Sequence, residues 1–289
     1  MRFVLSNGIS IPSPGYGTYN LGEVSEIHNK IVIAAECGFR HFDTATAYGN
    51  EEEIGKGLSF VFKNVCSRSE IFITGKLSND DLRELSDGYY AAKQAFERTL
   101  NKLQLEYLDL YLIHWPVPRD CEHCWKELNI STWAAMEELY KEGLIKAIGL
   151  SNFEERHIQN IVKDAQVMPM VNQIEIHPMY QQRDLIKYCI ENNICVESWG
   201  PLKQGEVFKI PELQRISDKY SKSISQLCLK FCEQLNALPI VKCSSKERMS
   251  ENLCGNDWII SAEDMEALFL LDSNTGRYNN YAYQRRDNC

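Results

Sequence analysis

Four residues of this chain, Asp43, Tyr48, Lys76 and His114, stand at or just beyond the ends of short apolar segments. They are an acid, a phenol, an amine and an imidazole. A phenol titrates near pH 10 and gives up its proton poorly at neutral pH unless a nearby cation favours the phenolate. An ammonium about 4 Å away contributes roughly 4 kcal/mol at an effective dielectric of 20, on the order of three pKa units. Lys76 would bring Tyr48 into working range in this way. Asp43 would anchor the ammonium by a charge-assisted hydrogen bond, and His114 could aim a substrate oxygen at the phenol. Such a set is suited to protonating a developing alkoxide. Each member alone has an ordinary structural role, as helix cap, surface ion pair or core histidine. From these residues alone a second chemistry stays open, a Schiff base formed on Lys76.

The positioning elements follow from the hydrophobic pattern. Strands are expected at residues 15–19, 38–43, 71–76, 107–114, 145–150, 170–175, 194–199 and 238–242, each rich in Ile, Val, Leu, Phe or Tyr. Between them lie helix-period stripes such as Ala92, Phe96, Leu100 and Leu103, or Trp133, Met136 and Tyr140. Eight β/α units in 289 residues without a low-complexity linker suit one closed parallel barrel, a (β/α)8 TIM barrel over residues 1–289. RFVL, SNG and ISIP at the start read as a hairpin that could plug the barrel bottom. A doubly wound sheet is the alternative fold, but GYGTYN after the first strand lacks the third Gly of its phosphate fingerprint. In a barrel, polar residues at the strand C-terminal ends face the active-site mouth. Ser151, Asn152, Gln173 and Trp199 then join the first four.

Composition narrows the partners. A net charge of −9 repels a phosphate backbone and offers no basic footprint, so nucleic acid is not expected. Eleven cysteines, an odd number, and an N-terminus without a signal-like apolar region point to reduced thiols and a cytoplasmic protein. No apolar run approaches the roughly 18 residues that span a bilayer. Cys121 and Cys124 form a CEHC loop, but no second CxxC completes a zinc site, so no metal is expected. Glu51 to Glu53 read as the acidic first turn of a helix.

GFRHFDTATAYGNEEEIGKGL at 38–58, FITGKL at 72–77, YLDLYLIHWP at 107–116, GLIKAIGLSNF at 143–153, VNQIEIHP at 171–178, ESWGPL at 197–202 and KCSSKERMSEN at 242–252 together resemble the aldo-keto reductases, seven motifs in that family's order. The resemblance implies NADPH-dependent reduction of an aldehyde or ketone, with Tyr48 as proton donor, Lys76 lowering its pKa, His114 orienting the carbonyl and Asp43 completing the tetrad. It implies that Ser151, Asn152 and Gln173 hold the nicotinamide amide and that Trp199 stacks on the ring. Lys242 and Arg248 would bind the 2′-phosphate, and Glu251 and Asn252 the adenine. Tyr19, Trp115, the loop at 117–130 and the C-terminal tail would shape the substrate pocket. The chain departs from the family pattern at Gly200, Val241 and Cys243, which stand where Ser, Pro and Ser are usual. Two cations still favour NADP over NAD. A monomer acting on a small-molecule carbonyl is expected. The alternative is a non-catalytic barrel serving as a binding or structural subunit, against which an intact tetrad argues.

Overall fold

The computed structural model describes residues 3–83, 87–118, 121, 123–254 and 258–274. Its first two strands, β1 (Phe3–Val4) and β2 (Ser10–Ile11), form an antiparallel hairpin around Asn7 and Gly8. Eight parallel strands follow and close on themselves: β3 (Gly15–Gly17), β4 (His41–Asp43), β5 (Phe72–Leu77), β6 (Leu110–Ile113), β7 (Ile148–Ser151), β8 (Val171–Glu175), β9 (Cys195–Trp199) and β10 (Ala237–Val241), which pairs back onto β3. Helices cross over between them, among them Val24–Cys37, Glu51–Asn64, Gly88–Leu103, Trp125–Lys141, Glu155–Val162, Arg183–Glu191 and Ile224–Gln234. The expected (β/α)8 barrel with its N-terminal hairpin is therefore the fold. The C-terminal tail beyond Asn274 lies outside the described residues.

The core has two layers because each strand is buried on both faces, as parallel strands under crossover helices must be. On β6, Leu110 and Leu112 face the barrel interior, whereas Tyr111 and Ile113 pack outward under the helices. Phe3, Leu5 and Ile11 of the hairpin join the interior cluster of Phe72, Leu110, Val171 and Leu238, which closes the bottom of the barrel. Helix Glu51–Asn64 sits between two others at close range. A Cβ on Gly55 would lie 2.6 Å from the Lys102 carbonyl oxygen, and one on Gly57 would lie 2.8 Å from Ile31 Cβ.

Several strands are shorter than the apolar pattern suggests, β4 and β6 by the most. Gly38 does not begin a strand. Its φ of 113° and its N–H, donated to carbonyls of the preceding helix, make it that helix's left-handed C-cap, and pairing starts only at His41. Before β6, Asp109 turns its carboxylate to the Ile73 N–H at 2.9 Å and to Arg68 at 2.7 Å. A side chain thus takes the ladder position there, and the strand begins at Leu110.

Candidate active site

The strand C-termini converge on one cavity of about 990 Å³, at the upper end of the range for ligand pockets of roughly 300 to 1,000 Å³. Asp43 ends β4, Tyr48 closes the short helical turn Thr46–Tyr48 after it, Lys76 lies near the end of β5, and His114 immediately follows β6. The four residues first picked out by type are thus neighbours in space.

Lys76 organises them. Its side chain is fully buried, and its three ammonium hydrogens have three acceptors: Asp43 Oδ1 at 2.6 Å, the Thr44 carbonyl at 3.2 Å and Tyr48 Oη at 3.2 Å. Burial works against this ammonium, but Asp43 and Tyr48 outweigh it and hold the amine above its ordinary pKa. The Tyr48 ring lies edge-on to Tyr19, with centroids 5.1 Å apart, and to His114, at 5.8 Å. Trp115 stacks beside His114 at 6.5 Å. Tyr19 and Trp115 both line the cavity, Tyr19 as an exposed lip and Trp115 as a nearly buried wall.

The electrostatics differ from the sequence expectation at Tyr48. Burial pushes its phenol up to about 12; Lys76 pulls it down, and Asp43 pushes it up again. The cation therefore does not bring the isolated phenol toward neutrality, because desolvation of the phenolate and the carboxylate behind Lys76 cancel its effect. The phenol stays fully protonated at neutral pH. Burial and then Lys76 press His114 down to about 3, so its imidazole is neutral and can donate a hydrogen bond but holds no surplus proton.

Across the cavity, Asn152 takes a left-handed backbone conformation, φ 64°, which turns its side chain back over the barrel mouth. Its amide donates to the His114 carbonyl at 3.0 Å and to Ser151 Oγ at 3.1 Å, while its oxygen accepts from Trp199 Nε1 at 2.8 Å. Asn152 therefore fixes the plane of the Trp199 ring and ties it to His114. Ser151 Oγ donates to the Gln173 carbonyl at 3.0 Å. Gln173 in turn uses its amide nitrogen twice, to Asp43 Oδ2 and to Glu197 Oε2, each at 2.8 Å. The sequence reading missed Glu197. The signal was present as a lone acid inside VES, two residues before Trp199 on a strand that should be apolar on both faces.

At the far end of the same cavity stand Lys242, Cys243, Arg248, Glu251 and Asn252. Lys242 and Arg248 are exposed cations, and Ser245 caps helix Lys246–Leu253 through the Arg248 N–H at 3.4 Å, which aims the helix's positive end nearby. Tyr16 holds the segment by donating to the Cys243 carbonyl at 2.8 Å. Burial pushes the Cys243 thiol up to about 11, so it adds no negative charge to this corner. An aromatic plate at one end and two cations beside a helix start at the other suit an elongated anionic dinucleotide.

The 117–130 segment differs from expectation. From Trp125 onward it is helical, with Trp125 buried edge-on against His157 at 5.0 Å and Asn129 donating to the Pro116 carbonyl at 2.9 Å. Among the described residues, this part of the cavity is lined by Asn20, Ala47, Ser78, Asn79 and Asp80 in addition to Tyr19 and Trp115, while residues 119, 120 and 122 of the expected loop lie outside the described residues. Cys121 and Cys124 are not joined in a disulfide, and among the described residues no three side chains converge as metal ligands. Among the described residues no helix is long and apolar enough to cross a membrane.

The chain is similar to known proteins. The chain is 41% identical over 274 residues to the uncharacterized oxidoreductase YtbE of Bacillus subtilis, covering 94% of this chain and 93% of that one. It is 39% identical over 268 residues to a glyoxal reductase of the same organism, covering 93% and 91%. A crystal structure of an aldo-keto reductase from Bombyx mori in complex with NADP superposes with a TM-score of 0.88 at 27% identity, covering 99% and 98%. The model of the Aldo/keto reductase family matches residues 14–269, and this chain belongs to that family.

Proposed function

We propose that this protein reduces a small aldehyde or ketone to the alcohol with NADPH, and that Tyr48 supplies the proton. The observation that carries the reading is the buried Lys76 ammonium shared between Asp43 and the Tyr48 hydroxyl, both of which line a cavity large enough for a dinucleotide and a substrate. The protein solved in complex with NADP supports the choice of cofactor. Trp199, Ser151, Asn152 and Gln173 would hold the nicotinamide end, and Lys242, Arg248, Glu251 and Asn252 the adenosine phosphate end. When bound, NADPH supplies hydride to the carbonyl carbon.

The residues do the rest. Neutral His114 donates a hydrogen bond to the carbonyl oxygen and sets it beside Tyr48 Oη. As negative charge grows on that oxygen, the Tyr48 proton moves to it, and the phenolate left behind faces the Lys76 ammonium. An alkoxide is a stronger base than a phenolate, so a phenol titrating at about 12 is a loaded donor and not an inert one. Asp43 keeps the ammonium in place while the phenolate forms, since a buried cation without a partner would lose its proton or its position.

For the substrate, the glyoxal reductase relative and the polar lining residues Asn20, Ser78, Asn79 and Asp80, with Tyr19 and Trp115, support small, oxygen-rich carbonyls such as α-dicarbonyls. We take residues 1–289 as one domain that acts as a monomer in the cytoplasm, a setting in keeping with Cys189, Cys228 and Cys232, which are buried outside any disulfide. A panel of carbonyls, with glyoxal and methylglyoxal beside larger aldehydes and ketones, followed by loss of NADPH and then NADH absorbance, tests the proposal. Turnover of the dicarbonyls with NADPH is the expected outcome. Absence of carbonyl-dependent oxidation of either cofactor would overturn it.

A further inference from the structure

Below the tetrad, on the barrel axis, lies a second buried carboxyl. Glu197, in the middle of β9, has no exposed surface. Its Oε2 accepts from Gln173 Nε2 at 2.8 Å, and the same nitrogen donates to Asp43 Oδ2 at 2.8 Å. An amide nitrogen carries two hydrogens, and both are used here. The flipped amide would set its oxygen against two carboxyl oxygens, so the pair of acids fixes which way Gln173 points. Its oxygen is the acceptor left over, on a residue that lines the cavity.

The charges around Glu197 do not balance if it is ionised. From β4 it meets Asp43 and His41, from β5 Lys76, and from its own strand Cys195; β10 beside it, Ala237–Val241, is apolar. His41 Nε2 stands 4.0 Å from Glu197 Oε1 and bonds Thr74 Oγ1 at 2.9 Å, and burial holds its imidazole down to about 4, so it is neutral. Among the described residues Lys76 is then the only cation in the cluster, and Asp43 already matches it. Burial and Asp43 accordingly push the Glu197 carboxyl up to about 8. The proton has a place: Oε1 is buried and has no hydrogen-bond partner, which is costly for a carboxylate oxygen and far less so for a neutral carboxyl.

A nicotinamide ring is neutral when reduced and carries one positive charge when oxidised. We propose that Glu197 is a positioning residue of the nicotinamide site, holding Gln173 jointly with Asp43, and that it releases its proton to solvent when the oxidised cofactor binds. In that equilibrium one O–H bond of Glu197 is broken, the proton goes to water, and nothing is oxidised or reduced. The inference rests on the reading of Gln173 as a nicotinamide contact.

The test is the ratio of dissociation constants, NADP+ over NADPH, measured by tryptophan fluorescence between pH 6 and 9. The 2′-phosphate, which titrates near pH 6, and its protein contacts are common to both cofactors and cancel in the ratio. In the wild-type protein the ratio should fall roughly tenfold as pH rises, because deprotonated Glu197 favours the cationic ring. Glu197→Gln can still accept from Gln173 but cannot ionise, so its ratio should stay within about twofold across the range. A flat wild-type ratio, or a Glu197→Gln slope equal to wild type, would overturn the proposal. Calorimetry on the wild-type protein alone provides a second readout, should the variant fail to fold. At pH 7.5, NADP+ binding should release a proton, seen as a heat that changes with the buffer's ionisation enthalpy; NADPH binding should not. Equal proton release by both cofactors would also overturn it. If Gln173→Ala left both dissociation constants unchanged, the placement of the nicotinamide would be at fault, and not the proton coupling.

Discussion

Lys76 has three hydrogens and three acceptors, and this saturation makes the proposed chemistry depend on single side chains. Tyr48→Phe removes the donated proton and one of the three acceptors but nothing that reaches the far end of the cavity. Turnover should fall by about two to four orders of magnitude while the NADPH dissociation constant stays within a few-fold, and retention of a tenth of the activity would refute Tyr48 as the acid. Lys76→Met should act differently. It leaves Asp43 as a buried carboxylate without its cation, so besides abolishing reduction it should cost about 3 to 5 kcal/mol of stability, read as a lower urea midpoint. An inactive Lys76→Met protein of wild-type stability would show that Asp43 does not need the amine. At this scale the sequence was informative where chemistry and strand ends coincide: Asp43, Tyr48, Lys76 and His114 each stand at or just beyond a strand end, and all four meet. It was silent on the balance of forces at Tyr48, because desolvation depends on every atom around the ring and spacing records none of them. Glu197 was missed for a related reason, since one acid in an apolar strand shows its role only when Gln173 is seen to bridge it to Asp43.

Among the elements, helix Glu51–Asn64 follows the tetrad tyrosine directly, and its first turn carries Glu51, Glu52 and Glu53. The expectation of an acidic first turn holds, but the three are not equivalent. Glu53 pairs with Lys56 at the surface, whereas Glu51 is buried with Lys102 Nζ 4.0 Å away. Burial pushes Glu51 up to about 7 from its ordinary 4.5, more than Lys102 can pull it back. The folded protein therefore binds this proton more tightly than the unfolded chain. The contribution is full below about pH 4.5 and is lost as pH rises through about 7. Glu51→Gln cannot ionise, so its stability relative to wild type should increase between pH 5 and pH 8 by on the order of 1 to 3 kcal/mol, measured by urea unfolding at both values. An unchanged difference would mean that Glu51 is solvated. The eight strands were legible because period and length distinguish them from the helices between. Their ends were not, because Gly38 serves a helix cap and Asp109 replaces a ladder bond with its side chain, and both are tertiary facts.

For the whole molecule the decisive contrast is between global and local charge. The chain carries a net charge of −9, which at long range repels a dinucleotide, yet Lys242 and Arg248 stand exposed on the cavity beside a helix start. Within a Debye length of about 8 to 10 Å these two dominate what a phosphate feels, and the remaining charges are screened. The uncharged thiol of Cys243 removes at most a neutral hydrogen bond, about 0.5 to 1.5 kcal/mol, whereas one charge-assisted contact contributes roughly 1.5 to 3 kcal/mol. The cations should win, and NADPH should bind at least about tenfold more tightly than NADH at low salt. Because both cations are exposed, the gap should narrow as ionic strength rises. Lys242→Met should weaken NADPH binding and leave NADH binding nearly unchanged, which separates it from Lys76→Met, whose defect is in turnover. Fluorescence titration with both cofactors at two salt concentrations reads all of these quantities. Equal dissociation constants at low salt would mean that Lys242 and Arg248 do not reach the 2′-phosphate, and a gap indifferent to salt would mean that they reach it in a site closed to solvent.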